Sequence, residues 1–243
     1  MSTVLVIAGS DSSGGAGIAR DLQTLHEHRV HGVYALTAVT AQTDARVLAS
    51  YLVPASTVRA QIDAAFESGP VQAVKIGMLG SEEIVLTVAE ALQRYPAAPV
   101  VLDPVLASTS GAALLDQPGL RALREVLLPL VHLLTPNIPE AALLLGTEPA
   151  DDAAILQAQA QALRARGPRA VLLKGGHGAG ADSVDFLALA DGVRALRSAR
   201  LAGSRRGTGC ALASSIAASV ARGLTLEAAC RQAKDYVTAL LRT

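Results

Sequence analysis

Val4-Leu5-Val6-Ile7-Ala8 runs without a polar residue into Gly9-Ser10-Asp11-Ser12-Ser13-Gly14-Gly15-Ala16-Gly17, and then toward Arg29 along a helix-like pattern. A short apolar run of this kind suits a strand buried on both faces. The glycine and serine block ends the strand, and a helix over Gly14–Arg29 is predicted after it. A strand with no polar face must be covered on both sides. This opening unit therefore points to helices packed on a parallel sheet.

The same unit recurs along the chain. Strands are predicted at Ala73–Ile76, Val100–Leu102, Val131–Leu134 and Ala170–Leu173, with β-rich stretches at Tyr34–Thr40 and Val47–Val53. Helices are predicted at Pro54–Ser68, Ser81–Arg94, Leu120–Leu128, Ile138–Leu145, Asp151–Arg166, Gly209–Arg222 and Leu226–Leu241. Ser81 caps its helix, with Glu82 and Glu83 in the first turn. Ser183–Leu189 and Val193–Ser198 read as a hairpin around Asp191-Gly192. The expected fold class is α/β, with a central, mostly parallel sheet flanked by helices in three layers. No linker composition and no internal repeat divides residues 1–243, so a single domain is expected.

Composition narrows the partners. Hydrophobic residues make up 51% of the chain and aromatics 2%, so the core is built from Ala, Leu and Val. Acidic and basic residues balance at 21 each, with no basic stripe, which argues against nucleic acid as a partner. No apolar run reaches the roughly 18 residues of a membrane span. The first residues lack the basic and apolar regions of a signal peptide. Cys210 and Cys230 make neither a disulfide framework nor a metal-spacing pattern, and a reducing cytoplasm is the expected setting.

Polar groups gather at the predicted strand ends: Gly9-Ser10-Asp11, Thr40-Ala41-Gln42-Thr43, Lys75-Ile76-Gly77-Met78, Asp103-Pro104, Thr135-Pro136-Asn137 and Lys174-Gly175-Gly176-His177. In open α/β sheets ligands bind outside the carboxyl ends of the strands. Near the C-terminus, Gly207-Thr208-Gly209-Cys210 precedes a small-residue helix. Its glycines allow a tight turn, and the helix start offers unpaired N–H groups to an anion. The same position is expected to lower the Cys210 thiol pKa. Read alone, this stretch is equally a tight turn before a helix. There is no P-loop and no dinucleotide fingerprint, so phosphate binding would use other parts.

Taken in order, Gly9-Ser-Asp-Ser-Ser-Gly-Gly-Ala-Gly-Ile, Lys75-Ile-Gly-Met-Leu, Asp103-Pro-Val, Thr135-Pro-Asn-Ile-Pro-Glu140, Lys174-Gly-Gly-His and Gly207-Thr-Gly-Cys resemble the hydroxymethylpyrimidine/phosphomethylpyrimidine kinases of thiamine biosynthesis, within the ribokinase-like superfamily. The resemblance covers nearly the whole chain. It implies a sheet of about eight mainly parallel strands, ATP as donor, Mg²⁺ as helper, and two successive acceptors. These are the hydroxymethyl oxygen of 4-amino-5-hydroxymethyl-2-methylpyrimidine and the phosphate of its monophosphate. It also implies a homodimer or larger homo-oligomer.

The resemblance further assigns pyrimidine-binding roles to Asp21, Gln42, Gly9 and Met78. An amide suits an aminopyrimidine edge, and a carboxylate can accept from its amino group. Asn137, Glu140 and Asp103 are the expected metal group, although Asn137 and Glu140 also fit a plain capping box. Lys174 is expected at the ATP phosphates. Gly207, Thr208, Gly209 and Cys210 are expected to form the anion hole, with the Cys210 thiol as base for the alcohol acceptor. Where family members commonly carry Met-x-x-Lys-Ser-Gly, this chain has Leu106-Ala-Ser-Thr109-Ser-Gly111, without the lysine. Where relatives usually have Thr-His before the anion hole, Arg205 and Arg206 stand here as a possible phosphate clamp. The alternatives are a pyridoxal or pyridoxine kinase of the same superfamily, and a non-catalytic vitamin or nucleotide sensor on this fold.

Overall fold

The computed structural model describes residues 1–43, 46–96, 98–108, 111, 113–175, 182–201 and 206–242. Among them, nine strands form one sheet: β1 (Thr3–Asp11), β2 (His31–Gln42), β3 (Val47–Leu52), β4 (Ala73–Ile76), β5 (Val100–Leu102), β6 (Leu133–Leu134), β7 (Ala170–Leu173), β8 (Asp182–Leu189) and β9 (Gly192–Ala199). They lie in the order β3-β2-β1-β4-β5-β6-β7-β8-β9. The six from β2 to β7 are mutually parallel, and β3, β8 and β9 add antiparallel edges. The expected mostly parallel sheet is therefore present, with nine strands rather than about eight.

The helices are α1 (Gly17–Glu27), α2 (Ala55–Glu67), α3 (Glu82–Arg94), α4 (Gln117–Ala122), α5 (Ile138–Leu145), α6 (Ala153–Arg164), α7 (Thr208–Ala221) and α8 (Leu226–Leu240). Strand alternation divides the core between two faces. Leu5 and Ile7 of β1, Val74 and Ile76 of β4 and Leu173 of β7 pack with α2 to α6. Val4, Val6, Val101 and Leu172 pack with α1, α7 and α8. The central strands β5, β6 and β7 thus read as continuous apolar runs because both of their faces are covered. No helix among the described residues is long and apolar enough to cross a membrane.

Two local predictions are redrawn. The first helix begins at Gly17, because Gly14 and Gly17 take left-handed backbone at φ 75° and 59° and fold the loop back on β1. A Cβ at Gly17 would stand 2.5 Å from the Gly9 carbonyl oxygen. The helix predicted at Leu120–Leu128 starts earlier, at Gln117, where the Asp116 carboxylate accepts from the Gly119 N–H at 2.7 Å. It ends in a widened turn over Leu123–Leu127 and a tight turn containing Pro129.

β1 is the topological switch point, with β2 on one side and β4 on the other. Its pairing with β2 slips by one residue between Ala8 and Ser10, where β2 carries one extra residue opposite Gly9. Between the apolar Val74 and Ile76, Lys75 points to the opposite face and is completely buried. Its ammonium meets Asp21 of α1 at 2.8 Å, and Ser214 of α7 donates to the other Asp21 oxygen at 2.8 Å. Gly77 leaves the room it needs, since a Cβ there would stand 2.9 Å from Lys75 Nζ. Removing one member of a buried pair strands the other charge, so Lys75→Met should lower the unfolding free energy by about 3–5 kcal/mol. Urea unfolding followed by circular dichroism reads this; a change below about 1 kcal/mol would mean that the pair is replaceable.

Candidate active site

The carboxyl ends of the parallel strands and the start of α7 enclose one groove. On the β1–β2–β4 side stand Gly9, Gln42 and Met78. Gly9 is buried against Met78: a Cβ on it would lie 3.1 Å from the Met78 sulfur. Gln42 ends β2, and its backbone N–H donates to Ser12 Oγ at 2.8 Å. Its side-chain oxygen takes a long contact from Thr40 Oγ1 at 3.3 Å, and its amide nitrogen has no hydrogen-bond partner among the described residues. Gly9 and Met78 are therefore in contact, and Gln42 stands at the carboxyl end of the neighbouring strand β2.

Asp21 is not an open acceptor. It is completely buried, with one oxygen on Lys75 and the other on Ser214. The expectation that its carboxylate faces a pyrimidine amine is corrected accordingly: in this arrangement Asp21 forms the floor beneath the groove. Burial alone would lower the Lys75 pKa, but Asp21, Cys210 and Asp103 outweigh it and hold the ammonium charged, its pKa above the usual lysine value.

On the β5–β6–β7 side, Asp103 follows β5 and pairs with Lys174 at 2.8 Å. The Lys174 N–H donates to Pro136 O at 2.8 Å, which joins the ends of β6 and β7. Burial would lower the Lys174 pKa, yet Asp103 and Glu140 raise it above the ordinary value. Asn137 and Glu140 form a complete capping box at the start of α5: Glu140 N–H donates to Asn137 Oδ1 and Asn137 N–H to Glu140 Oε2, both at 2.8 Å. The Glu140 carboxyl is pushed up to about 7, first by burial and then by Asp103, against the pull of Lys174.

The metal expectation changes with this geometry. Asn137 Oδ1 and Glu140 Oε2 are engaged in the cap, and Asp103 is neutralised by Lys174. Among the described residues no three His, Cys, Asp or Glu side chains converge as a metal cage. The donor set still suits Mg²⁺, which keeps several waters and takes one or two carboxylates beside substrate phosphates.

The start of α7 joins the two sides. Gly207 takes left-handed backbone at φ 74°, and a Cβ on it would stand 2.1 Å from Gly15 O. A Cβ on Gly209 would lie 3.3 Å from Lys174 Nζ and 3.4 Å from Asp103 Oδ2. The first intrahelical bond of α7 is Ala211 N–H to Gly207 O at 2.8 Å. The N–H groups of Thr208, Gly209 and Cys210 have no partner among the described residues, so three donors and the positive end of the helix face the groove.

Cys210 is half-buried and reduced. Its pKa is pushed up to about 11, first by burial and then by Asp21 and Asp103, against the pull of Lys75 and of the Gly17 N–H. The expected low-pKa thiolate is therefore corrected to a protonated thiol: desolvation and two carboxylates outweigh the helix start. Arg206 is corrected as well. It donates to Asp11 Oδ2 and Ser13 Oγ, each at 3.0 Å, and to Thr43 O at 3.1 Å, so it ties loops together rather than standing open to a phosphate. Arg205, the Thr109 position that lacks the lysine, and Gly176-His177 lie outside the described residues. Sequence reasoning missed Lys75 and Ser214 as partners of Asp21, although Lys75 inside an otherwise apolar strand was the available signal.

Comparison with known proteins places nearly the whole chain in one family. The family model of phosphomethylpyrimidine kinase matches residues 11–243. A hydroxymethylpyrimidine/phosphomethylpyrimidine kinase of Haemophilus influenzae is 43% identical over 98% of this chain and 90% of its own. A thiamine biosynthesis bifunctional protein of Geobacter sulfurreducens is 44% identical over 99% of this chain and 49% of its own. The structure of a pyridoxal kinase from Staphylococcus aureus in complex with AMP-PCP and pyridoxal superposes with a TM-score of 0.89 at 29% identity, over 98% of this chain and 87% of that one. The chain belongs to the phosphomethylpyrimidine kinase family.

The thiol state is directly measurable. Iodoacetamide should modify Cys210 slowly at about pH 7 and progressively faster on approach to its pKa, since only the thiolate reacts. Cys230, buried and pushed up to about 12, should stay unmodified in the native protein. Peptide mapping by mass spectrometry reads both; modification of Cys210 that is already maximal at about pH 7 would mean a thiolate at the start of α7.

Proposed function

We propose that this member of the phosphomethylpyrimidine kinase family, acting as a single kinase domain, transfers the γ-phosphoryl group of ATP to 4-amino-5-hydroxymethyl-2-methylpyrimidine and then to its monophosphate, for thiamine biosynthesis. The observation that carries this reading is the start of α7, where three N–H groups without a partner among the described residues lie between Gly15 O of the β1 loop and Lys174. Family membership and the AMP-PCP complex of the similar pyridoxal kinase support ATP as the donor.

The pyrimidine ring stacks in the slot beside Gly9 and Met78, and the Gln42 amide reads its edge. Lys174 leaves Asp103 in part to bridge the nucleotide phosphates, as a point charge can. Mg²⁺ would be held by Glu140, and through water by Asp103 and Asn137, and would supply neutralisation of charge on the β- and γ-phosphates. The acceptor oxygen forms its bond to the γ-phosphorus as the bond to the β–γ bridging oxygen breaks. Charge spread over the three equatorial oxygens falls on the N–H groups of Thr208, Gly209 and Cys210, which need not reorganise.

Phosphoryl transfer through a loose transition state asks little of a base, so the alcohol loses its proton late, to an oxygen of the transferred phosphoryl group. The Cys210 thiol then serves as a hydrogen-bond partner of the hydroxymethyl group rather than as a ready thiolate. The second acceptor is already an anion and needs neither. Arg206 binds the Asp11–Ser13 loop and Thr43 to the anion hole, which encloses the acceptor. We place the enzyme in the cytoplasm as a homodimer or larger homo-oligomer; the exposed Leu48, Tyr51, Tyr34 and Val39 on β3 and β2 offer an apolar surface for self-association.

The pure protein incubated with ATP, Mg²⁺ and each vitamer in turn, with products followed by mass, tests the reading. Turnover of both pyrimidines is expected. Turnover of pyridoxal alone would replace the reading with a pyridoxal kinase, and binding without turnover would replace it with a sensor. Within the site, Cys210→Ala should lower kcat/KM for the alcohol about ten-fold or more and leave the monophosphate nearly unchanged. Gly207→Ala, which drives a Cβ into Gly15 O, should depress both steps about 100-fold. Equal losses for Cys210→Ala on both acceptors would remove the thiol from the first step.

A further inference from the structure

Lys174 owes its place to a strand end held from behind. Gly175, the next residue, donates its N–H to Asp185 Oδ1 at 2.9 Å. The other Asp185 oxygen accepts from Lys234 Nζ at 2.7 Å, and Lys234 reaches there from α8, with a longer contact to Ser183 Oγ at 3.5 Å. Both side chains are more than nine-tenths buried, at 6% exposure for Asp185 and 7% for Lys234. A buried ion pair is weak support for stability, because an apolar pair of similar volume serves as well or better. Its geometry is what an apolar pair cannot supply: a fixed acceptor for one backbone N–H.

The backbone shows what that acceptor fixes. β7 and β8 pair as Val171 with Ala188, Leu172 with Leu187 and Leu173 with Phe186. Continuing that antiparallel register puts Asp185 opposite Lys174 and Val184 opposite Gly175. Gly175 fits there only as glycine, since a Cβ would stand 1.8 Å from Val184 O. The last turn of chain before Lys174 enters the groove is thus bound on one side by Pro136 O, and its first residue beyond is bound on the other side by Asp185.

We infer that Asp185 is a positioning residue for phosphoryl transfer, its oxygen fixing the Gly175 N–H and through it the path of the Lys174 side chain toward the nucleotide phosphates. The inference rests on the reading of Lys174 as the phosphate-bridging lysine. Small misplacements of such a group are costly, because the geometry of the reacting groups sets the rate.

Two doubly substituted enzymes isolate the acceptor from the charges. Asp185→Asn with Lys234→Met removes both charges and keeps an amide oxygen for the Gly175 N–H. Asp185→Leu with Lys234→Met removes both charges and the acceptor. The first should keep kinetic constants within about three-fold of wild type, whereas the second should raise KM for ATP and lower kcat about ten-fold each, with the pyrimidine KM unchanged. Identical kinetics for the two would overturn the inference. Hydrogen exchange of the Gly175 amide, read by NMR, gives a measurement independent of turnover. Slow exchange is expected in wild type and in the Asp185→Asn, Lys234→Met enzyme; exchange as fast as in an exposed loop in either would also overturn it. These rates decide the matter even if the Asp185→Leu enzyme does not fold. If wild type phosphorylates neither pyrimidine, the functional reading falls, and the exchange rates still report whether Asp185 holds Gly175.

Discussion

The absence of two Cβ atoms governs the construction of this groove. At Gly207 the backbone runs so close to Gly15 O that a methyl group would stand 2.1 Å away. At Gly209 a methyl group would press on Lys174 Nζ and Asp103 Oδ2. Those two approaches bring the start of α7 against the β1 loop on one side and against the β5 and β7 ends on the other. The three unpaired N–H groups consequently lie between two halves of the site that belong to opposite ends of the parallel sheet. A left-handed residue at φ 74° is needed to make the turn, and only glycine adopts it without cost there.

Charge is arranged around that turn as a chain of partial neutralisation. Lys75 is paired with Asp21 beneath the groove, and Lys174 with Asp103 at its wall. Glu140 lies beyond, held near 7 by burial and by Asp103. The two lysines keep their protons because carboxylates surround them, and burial first, then Asp21 and Asp103, keeps the Cys210 thiol protonated. A thiolate here would add a negative charge to a site that must receive a polyphosphate. A neutral thiol and a Glu140 poised for either state both reduce repulsion before the nucleotide arrives.

Much of this was legible in the chain. The bounds of Ala73–Ile76, Val100–Leu102, Ile138–Leu145 and Ala170–Leu173 match because each is an apolar run, broken only by Lys75 in the first, or a capped helix, closed by Gly or a charged residue. The strand-end residues Gly9, Gln42, Met78, Asp103, Asn137, Glu140 and Lys174 all lie at the carboxyl end of the sheet, because a parallel sheet sends all of its carboxyl ends the same way. What could not be read were pairings across long sequence separation. Nothing local joins Asp21 to Lys75 and Ser214, or Arg206 to Asp11, so the resemblance alone assigns Asp21 to the pyrimidine, and Arg206 reads as a clamp. The Cys210 pKa was misjudged for a related reason: the helix start is visible in the sequence, whereas burial and the two nearby carboxylates exist only in the fold.

The same distinction separates the two levels on which the site is built. Residues that touch the groove follow one another as short motifs, since each comes from the end of one strand. Residues that hold those motifs in place come from elsewhere: Ser214 beneath Asp21, Pro136 O beside Lys174, and Asp185 with Lys234 behind Gly175. Each of these supports an orientation by a hydrogen bond whose acceptor or donor is buried. A buried acceptor tolerates little displacement, because losing its partner costs about 1–3 kcal/mol. The groove can therefore be lined by glycines and long, flexible side chains and still present them in one geometry, since the stiffness lies one layer further back, in the packed faces of α7, α8 and β8.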